Sequence, residues 1–192
     1  MKTLNQYIKE KLVINKDYHD NTIVVKSFDE LRTIIKDRYD KLGPGTKENP
    51  IDFNDIDVSN IDSFCNDNEN KGIFEKTKFK YIDISDWDVS NIKSMRYMFY
   101  KCEELKSVGD ISSWDVSNVK STHSMFNECE ELESIGDISK WDVANVTDMA
   151  HMFFNCTSFN QDLSSWDVSN VRYNAFMFRN CPIKEEYKPK FK

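Results

Sequence analysis

Four nearly identical six-residue segments recur down this chain: Trp87-Asp88-Val89-Ser90-Asn91-Ile92, Trp114-Asp115-Val116-Ser117-Asn118-Val119, Trp141-Asp142-Val143-Ala144-Asn145-Val146 and Trp166-Asp167-Val168-Ser169-Asn170-Val171. Such a short unit buries its apolar residues only against its neighbours, so the recurrence restricts the chain to a stacked repeat array. A degenerate fifth copy, Ile56-Asp57-Val58-Ser59-Asn60-Ile61, stands ahead of the others with Ile in the Trp place and extra polar residues around 66–71. The first unit therefore reads as the irregular, capping one. Cysteines keep the same rhythm: Cys102, Cys129, Cys156 and Cys181 lie 27, 27 and 25 residues apart. The repeat sets that spacing, and the odd total of five cysteines gives no disulfide framework.

Within each copy the apolar period changes. Along Ile138-Ser139-Lys140-Trp141-Asp142-Val143, Trp141 and Val143 fall on one face and Asp142 on the other, as in a short strand. Val146, Met149, Met152 and Phe153 then sit at i, i+3, i+6 and i+7, which on a helical wheel is about 0°, −60°, −120° and −20°, with Cys156 at about −80°. One inward stripe of a helix is expected, with Asn91, Asn118, Asn145 and Asn170 as its N-caps. Gly109 and Gly136 supply tight turns on the return path. The fold class expected is an α/β repeat solenoid, a leucine-rich-repeat-like right-handed β-α coil of about five rungs, closed by a small N-terminal α/β cap.

Residues 1–50 form that cap. Ser27-Phe28-Asp29-Glu30 reads as a capping box opening a helix through about Leu42, ended by Gly43 and Pro44. Ile23-Val24-Val25 reads as a short strand, and residues 3–12 as a weak helix. Residues 1–16 either dock on the cap or serve as a lysine-rich leader read by an assembly partner. The solenoid is placed at 51–181 and a charged tail at 182–192, where interleaved Glu gives a solvated, frayed terminus rather than a basic patch.

A net charge of −7 argues against nucleic acid as a partner, because phosphate binding draws on surplus Lys and Arg. No stretch approaches the ~20 apolar residues of a membrane span, so no membrane insertion is expected. Residues 1–16 offer only Leu12-Val13-Ile14 where an export signal needs an apolar run of about 7 to 15 residues. The expected location is cytoplasmic or within an assembled particle.

The unit at 141–165, WDVANVTDMAHMFFNCTSFNQDLSS, resembles the repeat of the BspA-like leucine-rich-repeat surface proteins of bacteria, W-D-V-S-N-V-x-x-M-x-x-M-F-x-x-C-x-x-F-N-Q-D-L-S. The likeness covers about residues 56–181 and departs at Ala144. It implies an adhesion or interaction protein, often exported and lipid-anchored; relatives also occur in phages and mobile elements.

Candidate sites follow from the repeat. Trp87, Trp114, Trp141 and Trp166, with Cys102, Cys129, Cys156 and Cys181, are expected to form a structural spine, since burying one Trp is worth at most about 4 to 6 kcal/mol. The alternatives are an aromatic binding strip for the indoles and redox chemistry for the thiols. On the opposite face Asp57, Asp88, Asp115, Asp142 and Asp167 stack. Either Ser90, Ser117, Ser169 and nearby amides satisfy these carboxylates within the turn, or the column is a concave acidic stripe for a basic peptide, a polyamine or a hard cation such as calcium. His123 and His151 read as solvated helix residues and His19 has no evident partner. No phosphate loop, nucleophile elbow or zinc spacing occurs, so no catalytic residue, metal or cofactor is expected. The function expected is a non-enzymatic interaction or adhesion module with a protein or peptide partner. The alternative is a self-assembling structural subunit of a virion or surface layer.

Overall fold

The computed structural model describes residues 22–192. The expectations for residues 1–16 and His19 lie outside them. β1 (Ile23–Val24) runs parallel to β3 (Ile56–Asp57), with Ile23 opposite Ile56. α1 (Phe28–Leu42) starts where its capping residues predict: Ser27 Oγ accepts from the Glu30 amide at 3.2 Å, and Glu30 Oε2 accepts from the Lys26 amide at 2.8 Å. It stops at Gly43, whose positive φ of 75° lets its N–H return to Tyr39 O. Leu31, Ile34 and Ile35 turn inward from the helix and are buried. β2 (Ile51–Asp52) pairs in parallel with β6 (Ile82–Asp83). β4 (Cys65–Asn66) and β5 (Lys71–Gly72) form a small antiparallel hairpin from the extra polar residues of the first unit.

These elements correct the expected fold. α1 is the one α-helix among the described residues, it precedes the repeats, and the strands are two-residue pieces in two-stranded sheets. Among the described residues there is no β-α solenoid and no closed sheet. The repeats are instead made of turns. Two non-glycine residues per unit hold φ between 54° and 60°: Tyr97 and Lys101, Ser124 and Glu128, His151 and Asn155, Phe176 and Asn180. A left-handed residue every few positions stops a right-handed helix. Around them, N–H groups bond three residues back, as in Met152 to Met149 O, Phe154 to His151 O and Cys156 to Phe153 O. Turns that return inward every third residue generate the same i, i+3, i+6, i+7 spacing that suggested a helix.

Successive units are joined in register. Single parallel bridges link Ser63 to Ser94, Ser94 to Ser121, Ser121 to Asp148 and Asp148 to Tyr173, and a second line links Tyr81, Ser107 and Ser134. Between units the alternate amides cross over: Met149 donates to Tyr173 O, His151 to Ala175 O, Phe153 to Met177 O and Asn155 to Arg179 O, at 2.8 to 3.0 Å. The strained left-handed residues, each costing roughly 1–2 kcal/mol, are held in place by these bonds.

Two aromatic columns run through the core. Phe74, Phe99, Phe126, Phe153 and Phe178 stack with centroids 5.1 to 5.9 Å apart. Trp114, Trp141 and Trp166 stack at 6.3 and 6.4 Å with rings within 6° of parallel. The C-terminal segment departs from the solvated tail expected of it: Ile183 and Pro189 are buried, Tyr187 and Phe191 pack on the core, and Leu163 N–H donates to Tyr187 O at 2.8 Å.

Candidate interaction surface

The Asp column lies where strand-like residues alternate. Trp141 and Val143 are buried and Asp142 between them is exposed, and the same holds at Asp88, Asp115 and Asp167. One oxygen of each carboxylate is spent locally. Oδ1 accepts from the amide two residues on, that of Ser90, Ser117, Ala144 and Ser169 respectively, at 3.0 to 3.1 Å, and the Ser90 hydroxyl adds a 2.6 Å bond to Asp88. This is the within-turn arrangement that short polar side chains make with their own backbone. Ser117 holds the Asp115 carboxyl below its usual range, and Ser169 does the same for Asp167.

A second column, not singled out in the sequence, repeats the device. Asp83, Asp110, Asp137 and Asp162 each accept from the amide of the serine two residues on: Ser85, Ser112, Ser139 and Ser164. Burial works to raise Asp83, but the Ser85 hydroxyl and amide and Asn54 outweigh it, and the carboxyl ends below its usual range. Asp110, Asp137 and Asp162 are held low by their serines. The signal was present: Asp-Ile-Ser or Asp-Leu-Ser precedes each Trp, in the same Asp-x-Ser pattern as Asp88-Val89-Ser90. Gly109 and Gly136 make room for it. A Cβ on Gly136 would stand 1.9 Å from Asp110 Oδ1, and both glycines hold positive φ.

The other expected residues act between units. Each indole is buried and its Nε1 donates to a carbonyl of the preceding unit: Trp87 to Phe53 O at 2.9 Å, Trp114 to Ile84 O at 3.3 Å, Trp141 to Ile111 O at 3.0 Å and Trp166 to Ile138 O at 2.8 Å. Thiols do likewise, Cys102 to Phe74 O, Cys129 to Phe99 O and Cys156 to Phe126 O at 3.0 to 3.1 Å, with a longer 3.5 Å contact from Cys181 to Phe159 O. All are free cysteines, and burial pushes Cys102 up to about 12 and Cys129 and Cys156 well above the usual thiol range. Asn91, Asn118, Asn145 and Asn170 cap no helix. Their Nδ2 groups donate at 2.8 to 3.0 Å to Ser59 O, Ser90 O, Ser117 O and Ala144 O, again one unit back. The Trp, Cys and Asn side-chain donors thus tie each unit to the one before it.

His123 and His151 are not on helices. They continue a surface line of rings: Tyr97 to His123 at 5.3 Å, His123 to His151 at 5.9 Å and His151 to Phe176 at 5.4 Å between centroids. Asp148 lies 3.4 Å from His123 Nδ1, yet burial outweighs it and His123 is held below the usual histidine range. Among the described residues no group of three or more His, Cys, Asp or Glu could hold a metal ion, and no helix is long and apolar enough to cross a membrane.

Compared with known proteins, residues 51–189 match the model of a family described as "Mycoplasma protein of unknown function, DUF285". No curated protein and no solved structure matches the chain.

Proposed function

This chain belongs to the DUF285 family of Mycoplasma proteins of unknown function, and we propose that it is a non-catalytic binding module that recognises a protein or peptide through a repeated polar face. One observation carries the reading. The thiols are engaged on carbonyls of the preceding unit and one oxygen of each Asp on an amide of its own turn, while the exposed Asp recurs from unit to unit. Units in parallel register stand ~4.8 Å apart, where two carboxylates repel by about 0.9 kcal/mol in water. The turn amides offset that repulsion, and Ser117 and Ser169 hold the Asp115 and Asp167 carboxyls below their usual range. A stripe of fixed negative charge favours a basic peptide and speeds its encounter. The Trp-Asp-Val-Ser-Asn-Val pattern supports kinship with BspA-like surface proteins, and with it an adhesion-type role.

The test is binding of a decalysine peptide to the chain and to a double variant, Asp115→Asn with Asp142→Asn. Asn keeps an oxygen that accepts the turn amide, so charge is removed without undoing the turn. Affinity for the peptide should fall about tenfold, or about 1.4 kcal/mol. Equal affinity for both proteins would discard the acidic face as the binding surface.

A further inference from the structure

The crossing amides define a site at the far end of the stack. In three consecutive units the same four positions donate forward: Met95, Tyr97, Phe99 and Lys101 to Ser121, His123, Met125 and Asn127, then Thr122, Ser124, Phe126 and Glu128 to Asp148, Ala150, Met152 and Phe154. Met149, His151, Phe153 and Asn155 donate to the last unit in turn. In that last unit the equivalent amides are those of Asn174, Phe176, Phe178 and Asn180, and among the described residues they have no acceptor. The C-terminal segment covers a different part of this unit, pairing at Leu163 and packing Ile183 and Phe191. Beside the four amides, Tyr173 and Phe176 are 64% and 53% exposed. Within 170–181 the charged residues are Arg172 and Arg179, with no carboxylate, and Arg179 lies over the Phe176 ring at 5.2 Å.

We propose that this open edge docks an extended, acidic segment of a partner protein, laid along residues 174–180 in the place a further unit would take. The edge offers donors at four alternate positions, so its complement must bring acceptors. A partner's backbone carbonyls supply them in the spacing already used between the other units. Two guanidinium groups in a stretch that carries no carboxylate of its own favour acidic side chains at its margins, against the negative balance of the chain as a whole. A second copy meeting edge to edge would set donors against donors. The site lies apart from the Asp columns and takes a ligand of opposite charge, so each proposal stands or falls alone.

Residue-resolved amide exchange on the full chain tests it, with a capped decapeptide of alternating Glu and Thr as the probe. The peptide should slow exchange at 174, 176, 178 and 180 by about tenfold or more and leave 149–155 unchanged. A double variant, Arg172→Glu with Arg179→Glu, should weaken the peptide by about tenfold, while unchanged exchange at 95–155 shows that it is folded. The proposal is overturned by any of four results: no slowing, equal slowing by a Lys-Thr decapeptide, protection by deca-thymidylate in place of the acidic peptide, or those four amides already protected in the free chain by self-association.

Discussion

The two ends of this stack are finished in opposite ways. At the first unit, α1 lays Leu31, Ile34 and Ile35 on the core, and its basic residues reach across to that unit: Arg32 donates to Gly72 O, and Arg38 to Asp52 O and to the Asp55 carboxylate. The hairpin of β4 and β5 closes its own edge. At the last unit, the C-terminal segment shields one side and leaves four amides and two large side chains on the other facing outward. A stacked unit draws its stability from its neighbours. Order should therefore be highest in the units bonded on both sides and fall toward the end that lacks a cover.

The strongest way to break that comparison is to remove a spine residue from each region. Trp141 has a stacked indole on both sides and Trp166 on one. Trp141→Ala should cost about 3 to 5 kcal/mol in denaturant unfolding, and Trp166→Ala clearly less, because part of its surroundings relaxes into solvent. Equal losses would mean that the last unit is as firmly held as the middle. Thiol chemistry sharpens the point with less perturbation. Cys102, Cys129 and Cys156 are buried and their thiols bonded at 3.0 to 3.1 Å, whereas Cys181 is partly exposed with a 3.5 Å contact. A thiol reagent applied to the native chain should modify Cys181 at least about tenfold faster than those three. Rapid modification of all four contradicts the buried ladder.

Smaller still is the effect of the Asn ladder. Asn118→Ala and Asn145→Ala remove one exposed interunit bond each and should cost about 0.5 to 1.5 kcal/mol. Their role also marks the limit of what the residues disclosed beforehand. The span of α1 was legible because Ser27, Glu30 and Gly43 act locally, through bonds to amides and carbonyls within a few residues. The inward direction of Trp141 and Val143 was legible because alternation about Asp142 is a local pattern too. Residues 146–156 misled because Met149, Met152, Phe153 and Cys156 face inward whether the chain between them winds as a helix or as three-residue turns. What separates the two is the left-handed backbone at His151 and Asn155, and neither residue is a glycine that would advertise it. The Asn, Trp and Cys donors bond about 30 residues back, to carbonyls that any residue type supplies, so no spacing in the sequence reveals their partners.

The finest test lies at the boundary between the firmly held middle and the open end, where His123 meets Asp148. His123 is held below its usual range by burial, and Asp148 only partly offsets this. The folded chain therefore binds a proton at this ring less readily than the unfolded chain, whose histidine titrates near ~6.5. Stability from this residue is complete above that value and is lost as pH falls through it toward the lower folded value. Unfolding midpoints in denaturant should decrease modestly between pH 7 and pH 5 in the parent chain. His123→Gln carries no titrating proton and should flatten that slope while leaving the midpoint at pH 7 nearly unchanged. A slope that persists in the variant would assign the effect to other groups and detach this histidine from the stability of the stack.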